Sequence, residues 1–132
     1  MTTKITSLER DLIDAALSQF MRERSARLAV VDSLAVKERR FSSSDNRTCV
    51  GFYTHFQENA ALKSLSSVLP RCTIDAQHPD LNHKMAGFIL FCGESTKAIE
   101  LLEGYFYGDD TLPISELLME KHRFVVKNAT DL

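Results

Sequence analysis

Eight consecutive residues, Met85-Ala86-Gly87-Phe88-Ile89-Leu90-Phe91-Cys92, constrain this chain more than any other segment. The run is apolar at odd and even positions alike. As a strand it belongs in the middle of a sheet and needs cover on both faces, from helices on one and from loops or a partner on the other. Turn formers bound it, Gln77 to Lys84 with its Pro, Asp and Asn on one side and Gly93-Glu94-Ser95-Thr96 on the other. Lys97 to Tyr107 reads as the next strand, so residues 85 to 107 make a hairpin. Alternation then divides its side chains. Ala98, Glu100, Leu102, Gly104 and Phe106 point one way, and Ile99, Leu101, Glu103, Tyr105 and Tyr107 the other.

The first third has a different period. Leu8, Leu12, Ile13, Ala16, Leu17, Phe20 and Met21 recur at helical steps over residues 6 to 22, and Thr6 and Glu9 have the spacing of a capping box. A shorter helix from Ser25 to Leu34 carries Leu28, Val31 and Leu34, so the two form a helical hairpin or one bent helix. Val36 to Phe41 and Arg47 to Phe56 then alternate as strands, joined by the polar turn Ser42 to Asn46. Val50, Phe52, Thr54 and Phe56 fall on one face of the second strand, and Cys49, Gly51, Tyr53 and His55 on the other. Gly51 inside the run marks a bulge or a close backbone approach. Residues 58 to 67 fit a short helix or a loop. Arg71 to Ala76 is a weak strand, Pro113 opens a short helix holding Ile114, Leu117 and Leu118, and His122 to Lys127 is an edge strand before a frayed tail. The expected fold is α+β, an N-terminal helical hairpin packed on an antiparallel sheet of about four to six strands.

A chain of 132 residues with 44% hydrophobic and 26% charged residues can bury one core without a staple, so residues 1–132 are read as a single domain. Cys49, Cys72 and Cys92 are odd in number and lack CxxC spacing, which argues against a zinc ribbon or a disulfide framework. With no apolar stretch after Met1 and no membrane-length window, a reduced cytoplasmic location is expected. A net charge of −2 gives no general attraction for nucleic acid. Charge is unevenly spread, however. Glu94, Glu100, Glu103, Asp109, Asp110, Glu116 and Glu120 face only Lys97 in their segment, which suits either a solvated surface or a basic partner.

The candidate chemistry is sparse. Asp75, His78, Asp80 and His83, with His55 from another strand, are metal-ligand types, but their spacing matches no signature and a polar loop explains them equally. No metal and no cofactor is expected. Glu100 and Glu103 resemble a carboxylate pair, yet residues three apart on a strand face opposite sides and cannot reach one bond. Glu103, set among Leu101, Leu102, Tyr105 and Tyr107, is a structural carboxylate, a binding residue or a catalytic one. Cys49 and Cys92 in apolar strands read as small core residues, not nucleophiles. Tyr53, Tyr105 and Tyr107 could stack bases, but their neighbours are acidic.

Arg47 to Phe56, then Met85 to Phe91, then Leu102-Glu103-Gly104-Tyr105-Phe106-Tyr107-Gly108-Asp109 together resemble a family of small uncharacterised bacterial proteins. That family pairs Thr-Gly-Val-Gly-Phe-Phe-Thr with Gly-Phe-hydrophobic-Leu and with Leu-Glu-Gly-Tyr-x-Tyr-Gly-Asp. Cys49 stands in place of the family's first Gly, and Leu112 precedes Pro113 where the family has Trp. The resemblance implies a partner of contact-dependent or polymorphic toxins, that is, an immunity protein. The expectation is a non-enzymatic protein binding a basic toxin domain, with Glu100, Glu103, Tyr105, Tyr107, Asp109 and Asp110 as contact residues. The alternative is a small ligand-binding or enzymatic domain with a pocket near His55, Glu103 and Tyr105.

Overall fold

A computed structural model of the protein describes residues 4–42 and 47–131. Helices α1 (Ser7–Leu17) and α2 (Arg24–Asp32) precede strands β1 (Val36–Ser42), β2 (Thr48–Cys49), β3 (Gly51–Phe56), β4 (Arg71–Gln77), β5 (Met85–Cys92), β6 (Ile99–Phe106) and β7 (Leu112–Pro113), helix α3 (Ile114–Leu117) and strand β8 (Val125–Asp131). Six strands form one antiparallel sheet in the order β1-β3-β6-β5-β4-β8, and β2 pairs with β7 in a small second sheet. The apolar run is β5, two strands from one edge and three from the other. This is the α+β architecture that the alternation of periods predicts.

Helix α1 begins as its capping box requires. The Glu9 backbone N–H donates to Thr6 Oγ1 at 3.1 Å, and the Thr6 N–H donates back to Glu9 Oε1 at 2.8 Å. The helix stops at Leu17, five residues short of the expected end, because Arg27 of α2 caps the turn beyond it. Its guanidinium donates to the carbonyls of Met21 and Arg22 at 2.9 and 2.8 Å and to Asp14 at 2.8 Å. These bonds tie the link between the two helices to Asp14 of α1 and fix the bend between them.

The apolar side of α1, Leu8, Leu12, Ile13, Ala16 and Leu17, is buried against Phe52, Ile74, Ala86, Phe88, Leu90 and Leu102 of the sheet. The Phe88 ring meets Phe52 at 6.1 Å and Phe124 at 5.8 Å, the latter edge-on. Alternation makes this a one-sided core: each strand gives every second residue to it.

Three local expectations need correction. Cys49 is buried and Val50 is 40% exposed, the reverse of the simple alternation, because the chain breaks phase between β2 and β3. Gly51 marks the place: a Cβ there would overlap the Gly104 carbonyl on β6, so the approach of the two backbones excludes a side chain. In β6 the pairing with β5 slips by one residue between Phe91 and Cys92, which turns Ile99 inward to Cys92 and leaves Glu100 exposed. Residues 58 to 67, where the sequence fits a short helix or a loop, form a loop of turns, with Leu62 buried and Asn59 closing it through bonds to Gln57, Ala61 and Ile99. At the other end the tail continues β8 as far as Asp131 and pairs with β4. The turn expected at Ser42 to Asn46 lies outside the described residues from 43 to 46.

Candidate binding face

The two faces of the sheet are unlike. Helix α1 lies across β4, β5 and β8 on the core side, α2 packs on α1, and α3 follows β7. Among the described residues no helix covers the opposite face. There Tyr53 and His55 of β3, Leu101, Glu103 and Tyr105 of β6, Gly87, Ile89 and Phe91 of β5, and Thr73 and Asp75 of β4 lie side by side through the registers Tyr53↔Glu103↔Ile89↔Thr73 and Tyr105↔Gly87↔Asp75. Tyr53, Tyr105 and Tyr107 are exposed, and Glu103, Ile89, Phe91 and Leu101 are half-buried. The helix cover expected on one side of β5 is present; on the other side, where loops or a partner are expected, Ile89 and Phe91 are half-buried.

The centre of this face is built on a missing side chain. A Cβ at Gly87 would overlap the ring and hydroxyl of Tyr105, so the glycine lets the phenol lie across β5 toward Asp75. Tyr107 stands against it edge to face, with ring centres 5.5 Å apart at 87°. Burial, a hydrogen bond with Tyr105 and the charge of Asp75 push the Tyr107 phenol up to about 12, so it stays a neutral donor. Among the described residues neither the Glu103 nor the Asp75 side chain makes a hydrogen bond or an ion pair.

A second carboxylate shows what a fully used one looks like. Glu9, 1% exposed, reaches from α1 to the sheet and takes a bidentate pair from Arg39 of β1 at 2.7 and 2.9 Å and a hydroxyl from Thr54 of β3. With the Thr6 N–H added, both oxygens are satisfied, which is what a buried charge needs. Thr54 was legible only as one polar position on the core side of its strand.

The expected contact residues separate when placed. Glu103, Tyr105 and Tyr107 share the open face. Glu100 lies at the far end of β6, ~20 Å along the strand from Phe106 at the usual rise per residue. Asp109 is exposed in the turn after β6. Asp110 is not a surface group at all: it is 2% exposed and accepts from the His83 N–H at 2.8 Å and the His83 ring at 3.0 Å. Those hydrogen bonds hold its carboxyl below the ordinary carboxylate range. The acidic segment therefore forms no single acidic surface.

The quartet Asp75, His78, Asp80 and His83 is likewise divided among three places. Asp75 is on the open face and His83 is with Asp110. His78, Asp80 and Glu116 present ligand-type atoms within 4.8 Å of one another. Arg123 already pairs with Glu116, at 2.8 Å, and with Asp80, while His78 Nδ1 accepts from the Asp80 N–H and Nε2 lies 2.8 Å from Glu116. A guanidinium thus supplies the positive charge in this cluster, which ties α3 to the turn after β4. Burial pushes the Cys49 thiol up to about 11 and Cys92 to about 12, far from the thiolate a nucleophile needs.

His55, Glu103 and Tyr105 do share one face, as the alternative reading requires. None of them lines the cleft of about 530 Å³ at the end of the sheet, which is bounded by Lys37, Phe56, Asn59, Thr96, Ile99 and Glu100. No described helix is long and apolar enough to cross a membrane. Compared with protein-family models, with curated proteins and with solved structures, the chain matches none. Missed by sequence reasoning were Asp75 and Gly87 as neighbours of Tyr105; the glycine in an otherwise bulky apolar run was the available signal.

Proposed function

We propose that this chain is a non-enzymatic binding protein that grips a protein partner through the open face of its sheet. The observation that carries the reading is the uncovered surface of Tyr53, Tyr105 and Tyr107 around Glu103, continuous with the half-buried Ile89, Phe91 and Leu101. Rigid tyrosines beside apolar groups are typical anchors of protein interfaces, and exposed apolar surface of this kind marks an interaction site. The resemblance of the Leu102 to Asp109 motif supports a bacterial toxin domain as partner and a role as its immunity protein in the cytoplasm. Glu103 and Asp109, with Glu100 at the periphery, favour a basic partner.

Co-expression with the product of the adjacent gene tests this. The expected result is a stable complex, protection of cells expressing that product, and loss of both when Tyr53 and Tyr105 are replaced together by Ser. Absence of a complex and of protection would overturn the reading.

A further inference from the structure

We infer that the open face takes an arginine side chain of a basic protein partner, stacked on Tyr105 and clasped between Asp75 and Glu103. The inference rests on the protein-binding reading above and names what its centre recognises.

Three features converge on a planar cation. The Tyr105 ring lies on the backbone of Gly87, and the residue stays 37% exposed. Tyr107, perpendicular to it, makes a wall beside that floor. A cation over a tyrosine ring within ~6 Å is attracted by the ring's negative face, and arginine is the cation found there most often. Carboxylates then flank the floor on two sides. Asp75 lies across Gly87 from Tyr105, and Glu103 is two residues along β6 on the same face.

The charge is left for a partner to balance. Arg40, on the same face of β1, is held by Glu38 at 2.7 Å. Lys127, in the bulge beside Asp75, forms no ion pair with it among the described residues. Arg71, at the far end of β4, is four residues from Asp75, ~13 Å at the usual rise. Elsewhere the fold supplies its own guanidinium to carboxylates: Arg39 for Glu9, Arg27 for Asp14, and Arg123 for Asp80 and Glu116. The Asp75–Tyr105–Glu103 group is arranged like those partners but without the arginine. Arginine fits better than lysine because its flat fork can lie on the ring while its edges donate to both carboxylates.

Titration of the isotope-labelled full chain with hexa-arginine and hexa-lysine peptides tests this by NMR. Hexa-arginine should shift the amide signals of Asp75, Gly87, Glu103 and Tyr105, and bind about fivefold or more tightly than hexa-lysine. Tyr105→Leu, which keeps an apolar cover over Gly87, should weaken hexa-arginine about tenfold. The double variant Asp75→Asn with Glu103→Gln should do the same, and it serves if Tyr105→Leu does not fold. Equal binding of the two peptides, shifts elsewhere on the molecule, or indifference to the folded variants would overturn the inference. So would concentration-dependent broadening of these signals without peptide, since a second copy would then be the occupant. A toxin complex that survives Tyr105→Leu removes the arginine and leaves the binding reading standing; arginine binding without any toxin complex does the reverse.

Discussion

Glu9 and Glu103 belong to the two faces of one sheet and have opposite circumstances. Glu9, on the core side, accepts from Arg39, Thr54 and Thr6, so its charge is balanced within the chain. The Glu103 side chain, on the open side, has no hydrogen bond or ion pair among the described residues and neighbours exposed tyrosines instead. Charge buried by folding must be satisfied by folding, whereas charge left at a surface is free to be satisfied by something else. The contrast separates residues that hold the protein together from those that could hold a partner.

The contrast breaks most visibly at Arg39. Replacing it with Ala strands a buried carboxylate, and the expected loss is about 3–5 kcal/mol of stability, read from the urea midpoint. A loss under ~1 kcal/mol would mean that Glu9 is not the fixed joint between α1 and the sheet. Next in size is Gly104→Ala. A Cβ there would press on Phe52 and Phe88, at 2.7 and 2.9 Å, and the expected cost is about 1–3 kcal/mol by the same melt.

A third measurement sharpens the placing of Asp110. The His83 backbone N–H and ring keep its folded pKa below the ordinary 3.8. A carboxyl that is more acidic folded than unfolded contributes its full stabilisation above the unfolded value and loses it as pH falls through the folded one. Acid titration of stability should therefore fall more steeply below pH ~4 for the wild type than for Asp110→Asn. Identical acid limbs would return Asp110 to the surface. The smallest effect belongs to Glu103→Gln, expected within about 0.5 kcal/mol of wild type in urea. A loss above ~1 kcal/mol would show that the fold uses this carboxylate, and the comparison of the two faces would fail.

Much of the scaffold is legible residue by residue. Thr6 and Glu9 announce the start of α1, the two-residue alternation of Phe52, Thr54 and Phe56 gives the inner side of β3, and the apolar run gives a central strand. These signals are local, since caps and periods depend on neighbours a few residues away. Phase slips were legible only in part: Gly51 marks the one beside Val50, and nothing marks the one at Glu100. Ile99 turns inward and Val50 outward because partner strands set the register there, and a bulge has no fixed composition apart from an occasional glycine. The acidic segment from Glu94 to Glu120 suited either a solvated surface or a basic partner, because closeness in sequence does not say where each charge goes. Folding sends Asp110 to His83, Glu116 to Arg123 and Glu100 to the sheet's end.

By itself, then, the sequence determined most of the helices and strands, that the sheet is antiparallel, and that Glu103, Tyr105 and Tyr107 share a face, all consequences of period and chain connectivity. Only the tertiary structure decided that no described helix covers this face, that Gly87 lets Tyr105 lie across β5, and that Asp75 lies beside them. Those facts depend on the strand order β6-β5-β4, which brings residues 75, 87 and 105 together across gaps of twelve and eighteen positions. The order follows from how the whole core packs, a global property that no local spacing encodes.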